Sequence, residues 1–201
     1  EKLVLGMKNT FSDSVVFADF RHGIFNQHTI PILTDAIPKN VYRVADSQVA
    51  SRWGNITEFK NFDLITPNER EARFALGDQD STVGALAGTL SEKTLCGLLL
   101  LKLGDRGVFV LNSLSGVDKK IVNHFSVDSF AENVVDAVGA GDALLAYATL
   151  AMMATKNSVI ASILGSMAAA CECEFDGNIP IKPSDVLDRI EHVANKANYS
   201  N

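Results

Sequence analysis

No run in the chain reaches the 18–20 apolar residues that a membrane span requires. The longest, Ala143 to Ala154, has the length of a buried helix. No signal peptide is visible, so we expect a cytoplasmic protein with no membrane partner. An excess of positive charge is also missing. The net charge of −6 argues against a nucleic-acid footprint. Cysteine is scarce: Cys96, Cys171 and Cys173. An odd count argues against a disulfide scaffold, and Cys171 and Cys173 lack the second Cys pair or nearby His of a zinc site. Reduced, partly buried thiols are expected. Repeats, low-complexity segments and linkers are absent, so 1–201 reads as a single domain. The chain opens on Glu1 rather than Met, and we expect a portion of a longer protein.

What is present is a chain of 201 residues, 47% hydrophobic and 21% charged, enough for one sizeable core. Its first half alternates short apolar runs with helical patterns, which predicts a parallel α/β sheet. Ser14–Asp19 and Tyr42–Asp46 read as strands ending in acids. Asp63–Thr66 reads as a third strand, closed by Pro67, with Asn68 capping the next helix and Gly77 ending it. Asn26–Ala36 and Ser81–Thr94 read as helices. Gly97–Leu103 is the strongest buried strand, turned by Gly104–Gly107 into Val108–Leu111 as a hairpin. Ile121–Val127 is expected to add an edge strand. Three helices close the chain: Gly141–Ala154, Asn157–Cys173 and Ser184–Lys196, the last capped by Ser184. Ligands of open α/β sheets bind beyond the carboxyl ends of the strands, where Asp19, Asp46 and Thr66 fall.

Asn133–Met153 carries the strongest chemical signal. Val134 and Val135 read as a strand end, Gly139-Ala140-Gly141 as a tight turn, and Asp142 opens an apolar helix. Small residues and unpartnered first-turn amides suit an anion such as phosphate. A carboxylate beside that anion suits a base that takes a proton from an attacking hydroxyl. It also suits the helix dipole alone. A dinucleotide fingerprint is a poor match, because its third glycine position is Leu144.

Three segments together resemble the ribokinase-like, or PfkB, carbohydrate kinases. Asp136–Asp142 (DAVGAGD) resembles their C-terminal signature, Asn68-Glu69-Arg70-Glu71 their N-x-x-E motif, and Leu103–Gly107 (LGDRG) their nucleotide loop. The resemblance covers about the C-terminal two thirds of a family domain. It implies a three-layer α/β/α sandwich whose mostly parallel sheet carries an antiparallel hairpin at one side, with the N-terminal part and lid missing. The implied activity is ATP-dependent phosphoryl transfer to a hydroxyl of a sugar or sugar phosphate. Asp142 would be the catalytic base, and the Gly139, Ala140 and Gly141 amides the anion hole. Asn68 and Glu71 would act on Mg2+, largely through water. Asn68, Lys102, Gly104, Asp105, Gly107 and Ser166 would contact ATP. A homodimer through the lid is implied as well.

Within the family the nearest resemblance is to bacterial heptose-phosphate kinases. Asp19-Phe20-Arg21-His22-Gly23 resembles their Asp-Tyr-x-Lys-Gly, and Asp46-Ser47-Gln48 their Asp-Pro-Lys. Asp19, Arg21, His22 and Asp46 are therefore candidate substrate residues. Both Lys positions differ, being His22 and Gln48. Arg21 or Arg52 would supply the missing charge, or both lie solvated on the surface. Lys102 stands where the family usually has Thr, Tyr147 where it has Gly or Ala, Ala137 where it has Thr, and Ser166 where many members place Asn. These departures keep a second reading open: a non-catalytic nucleotide-binding or scaffolding module derived from such a kinase.

Overall fold

A computed structural model of the chain describes residues 2–9, 12–48, 56–113, 123–177 and 179–199. The chain divides into two compact units: 1–102 with 109–125, and 103–108 with 126–201. Each is taken by itself.

The first unit holds α1 (Lys2–Asn9), β1 (Ser14–Asp19), α2 (Thr29–Asp35), β2 (Tyr42–Ser47), β3 (Leu64–Ile65), α3 (Glu69–Leu76), α4 (Val83–Thr94) and β4 (Leu98–Lys102). Strands β1 to β4 pair in parallel, in chain order. Two more strands, β5 (Val108–Asn112) and β6 (Asn123–Val127), complete a six-stranded sheet ordered β1-β2-β3-β4-β5-β6. Residues 121–122 of the expected edge strand lie outside the described residues.

Sheet burial follows from composition. Leu98, Leu99, Leu100 and Leu101 are fully buried on both faces of β4, as are Val44, Ala45, Leu64 and Ile65. Such unbroken apolar runs tolerate only a strand covered on both sides. Leu86, Ala87 and Leu90 of α4 and Ala72 of α3 are fully buried as well. Phe17, Phe59 and Phe62 form a second cluster, with ring centroids 5.5–6.3 Å apart. The helix ends carry the residues that local chemistry demands. Asn68 caps α3, Gly77 ends it at φ 65°, and Thr82 caps α4. Pro31 falls in the first turn of α2, where its missing N–H costs nothing.

The second unit is helical. It holds α5 (Ala140–Thr155), α6 (Ser158–Cys173) and α7 (Pro183–Tyr199). Helices α5 and α6 approach closely at Gly165, where a Cβ would lie 3.0 Å from the Leu144 carbonyl oxygen and 3.1 Å from Ala148 Cβ. Met167, Ala168 and Val186 form a core between α6 and α7. Asn157 caps α6 with two accepted hydrogen bonds. The three cysteines are free, and burial pushes all three thiols above their ordinary range.

Two expectations are corrected. Val134 and Val135 form no strand end: they are 66% and 61% exposed. Their segment has no ladder partner among the described residues. The Val135 and Asp136 N–H groups instead donate to the Cys173 carbonyl at the end of α6, at 2.7 and 3.2 Å. Ser184 is not the cap of α7, because Pro183 already occupies its first turn. The carboxylate of Asp185 reaches back to accept the Lys182 N–H at 2.8 Å. Proline suits a first helical position because the N–H it lacks is an orphan there.

Truncating the sheet core and the exposed segment should give opposite results in urea unfolding. Leu99→Ala should lose about 2–5 kcal/mol, whereas Val134→Ala should stay within about 0.5 kcal/mol of the parent.

Candidate functional site

In the first unit the candidate residues gather at the carboxyl ends of the parallel strands. Asp19 ends β1 and is 3% exposed. Its carboxylate accepts the Arg21 backbone N–H at 2.8 Å, the Arg21 guanidinium at 2.6 Å and the Ser47 hydroxyl at 3.2 Å. Arg21 adopts φ 61°, a left-handed conformation that costs an L-residue roughly 1–2 kcal/mol. Its two hydrogen bonds donated to Asp19 hold it there. With its side chain 17% exposed and ion-paired, Arg21 is not a solvated surface cation. Arg52 lies outside the described residues. His22 is exposed, and with Asp19, Phe20, Ile24 and Phe25 it lines a cavity of about 510 Å3.

Asp46 lies on β2, also buried. Both of its oxygens accept from the Lys102 ammonium at 3.2 Å. The two residues are 56 positions apart in sequence, and the parallel ladder joins them. Lys102 closes β4, where its N–H donates to Pro67 O at 2.9 Å and its backbone bridges Asn68. The Lys102 side chain is thus committed to Asp46. Between these strands the Thr66 hydroxyl is fully buried and finds no hydrogen-bond partner among the described residues.

Asn68 and Glu71 form a capping box. The Glu71 N–H donates to Asn68 Oδ1 at 2.8 Å, and the Asn68 N–H donates to Glu71 Oε2 at 2.7 Å. The pair needs Asn68 and Glu71 three apart, the spacing of the N-x-x-E segment. Each side chain therefore holds the other, and Glu71 is 6% exposed. Among the described residues no group of three His, Cys, Asp or Glu side chains could hold a metal directly.

The second unit holds the glycine turns. Gly104 has φ 66°, and a Cβ there would meet nothing within 4 Å. Gly107 has φ 79°, and its Cβ would lie 2.0 Å from the Val127 carbonyl oxygen and 2.7 Å from Ser129 N. The two glycines have different physical causes: open space at one, a crossing backbone at the other. Asp105 between them is exposed. Gly139 is the N-cap of α5 at φ 90°, and no side chain caps this helix. The Ala140 N–H makes only a 3.4 Å bond to Ala137 O. Asp142 lies in the first turn, half-buried. Ser166 on α6 is 6% exposed, and its hydroxyl finds no partner among the described residues. Tyr147 packs against the Met167–Ala168–Val186 core and donates its hydroxyl to Ile181 O at 3.1 Å.

Asp46–Lys102 and Asp19–Ser47 are the pairings that sequence reading missed. Neither has a local signal. The β1–β2 register sets Asp19 beside Ser47, and the β2–β3–β4 ladder carries Lys102 to Asp46.

Comparison with known proteins gives one family. The family model described as pfkB family carbohydrate kinase matches residues 28–184. The Bifunctional protein HldE of Citrifermentans bemidjiense is 23% identical over 187 residues, covering 90% of this chain and 36% of that protein. Its counterpart in Geobacter metallireducens is 25% identical, covering 86% and 34%. The chain thus spans about a third of the length of these curated relatives. Among solved structures, phosphofructokinase-2 from Escherichia coli superposes with a TM-score of 0.79 at 16% identity, covering 96% of this chain and 61% of that one. Ribokinase from Arabidopsis thaliana, solved with ribose and ATP, gives 0.73 at 20%, covering 94% and 58%. These likenesses show the ribokinase-like α/β fold, with a mostly parallel six-stranded sheet.

The contrast between the two glycines is measurable. Gly107→Ala should lose about 2–5 kcal/mol, combining backbone collision with positive-φ strain. Gly104→Ala should lose only about 1–2 kcal/mol in the same urea unfolding series.

Proposed function

The chain belongs to the pfkB family of carbohydrate kinases, and from that membership we propose that it carries out ATP-dependent phosphoryl transfer to a hydroxyl of a sugar or sugar phosphate. The observation that carries this reading is the start of α5: a left-handed glycine cap, no capping side chain, and a carboxylate in the first turn. Amides without side-chain partners at a helix N-terminus stabilise a negative charge. The reaction develops negative charge on the transferred group and needs a proton removed from the acceptor. Gly139, Ala140 and Gly141 answer the first need and Asp142 the second.

Asp142 takes the acceptor hydroxyl's proton as that oxygen attacks the terminal phosphorus. The bond from phosphorus to the bridging oxygen breaks, and ADP leaves with the electron pair. The turn amides stabilise the charge that develops on the equatorial oxygens as the phosphoryl group transfers. Gly104, Asp105 and Gly107 lie along the nucleotide, and the orphaned Ser166 hydroxyl fits a donor or acceptor on the adenine side. Asn68 and Glu71 fit Mg2+ by donor chemistry, since both offer oxygen and the capping box fixes their rotamers. Bound there largely through water, the ion would neutralise phosphate charge. Asp19, Arg21, His22 and Asp46 stand on the acceptor side of this reading, and a cytoplasmic setting and a homodimer go with it.

One observation favours a second reading, a nucleotide-binding module without turnover. Lys102 replaces the Thr usual in the family, and its ammonium is held by Asp46.

Two measurements on the intact protein decide. Sugar-dependent ADP release across a sugar and sugar-phosphate panel should fall at least about 100-fold in Asp142→Asn, the scale of general-base loss. Unchanged turnover removes Asp142 as the base, and calorimetric Mg-ATP binding with no turnover in the parent favours the second reading. Asn68→Asp, which keeps the cap, should hold stability within about 0.5 kcal/mol, while Asn68→Ala should lose about 0.5–2 kcal/mol. A Mg2+ requirement altered in both variants would separate the metal role from the cap.

A further inference from the structure

The approach to the α5 turn is held in an unusual way. Residues 128–138 join β6 to α5 without helix or strand. Val134, Val135 and Val138 in this strap are 59–66% exposed, so apolar packing does not hold that half in place. Phe130 alone reaches the α6–α7 core. The remaining restraints are polar. The Val135 and Asp136 N–H groups donate to Cys173 O, and the Val138 N–H donates to Asp136 Oδ1 at 3.0 Å.

The other tethers come from one face of α7. Arg189, His192 and Lys196 are spaced i, i+3, i+7, which puts them in line along a helix. Arg189 is ion-paired with Glu174 at the end of α6 and donates to Phe130 O at 3.4 Å. Glu132 is bonded by Lys196 at 3.0 Å and by His192 at 3.3 Å. The Lys196 bond, then that of His192, holds the Glu132 carboxyl below its ordinary range. Against these groups lies a cavity of about 550 Å3, lined by Glu132, Asn133, Glu174, Arg189 and His192 among others. Apart from Phe130, the strap is therefore tethered along the edge of a cavity rather than packed onto a core.

We propose that Arg189 and Glu132 are positioning residues: α7 clasps the 128–138 strap and thereby sets where the Gly139–Gly141 amides stand. The proposal rests on reading those amides as the anion hole of a phosphoryl-transfer site. Neither residue touches substrate. Each acts through the backbone that leads into the turn, so its loss should lower transition-state stabilisation while leaving ground-state nucleotide binding alone.

The test uses Arg189→Met, Arg189→Lys and Glu132→Gln in the intact protein, with two readouts. Amide hydrogen exchange needs no substrate: protection at Val135 and Asp136 should fall about tenfold in Arg189→Met, about two- to fivefold in Glu132→Gln, whose pairs are exposed, and less in Arg189→Lys than in Arg189→Met. With an accepted sugar, kcat should fall about tenfold while KM for Mg-ATP stays within about twofold. Unchanged exchange at both amides overturns the clasp. A rise in KM with kcat intact also overturns it. Absence of sugar-dependent turnover in the parent removes the phosphoryl-transfer reading instead, and exchange alone then decides whether the clasp exists. Should Arg189→Met fail to fold, Glu132→Gln, altered at an exposed side chain, carries both readouts.

Discussion

Burial of β4 on both faces is the constraint from which the first unit follows. Four consecutive leucines that reach no solvent must lie in a strand with layers above and below it. Helices α3 and α4 supply apolar cover, and β3 supplies the neighbouring ladder. A parallel ladder brings all the carboxyl ends to one edge. Polar groups that the chain meets far apart, at 19, 46, 66 and 102, arrive there together. Their pairing is a result of the sheet rather than a cause of it.

Once there, the charged groups must be paired, because an unpaired charge in such surroundings costs several kcal/mol. Asp19 does this locally by bending Arg21 into a left-handed turn and taking Ser47 from the next strand. Asp46 does it at long range with Lys102. The second arrangement also explains how Lys can stand where the related kinases usually have Thr. A lysine at that strand end needs a carboxylate within reach, and Asp46 provides one. The same bond limits what Lys102 can offer to a ligand, since any phosphate would have to compete with Asp46 for it.

Legibility in the sequence tracked the range of the interactions involved. Ser14–Asp19 is readable to the residue, because a short run rich in β-branched and aromatic residues favours a strand. Asn68 and Gly77 announce both ends of α3 through contacts three or four residues long, while the capping-box bond of Glu71 emerges from the fold. Val134 and Val135 read as a strand end, because two adjacent valines look like one when nothing local reports the lack of a neighbouring ladder. Ser184 looked like a cap because serine commonly is one, but Pro183 and Asp185 supply a start one residue earlier. Asp46–Lys102 and the line of Arg189, His192 and Lys196 against the strap needed the folded chain. The cations on α7 could be placed on one face from spacing, but not their partner.

Gly107 has no clearance: the chain at 127–129 runs where its side chain would be. A position that packing alone restricts to glycine carries no information about ligands, however regularly glycine recurs in related chains. Gly104 has room for a side chain, so glycine retained there would report something other than packing. A motif that weighs both positions equally therefore mixes a folding signal with a binding signal, and in this loop only the first glycine can tell them apart.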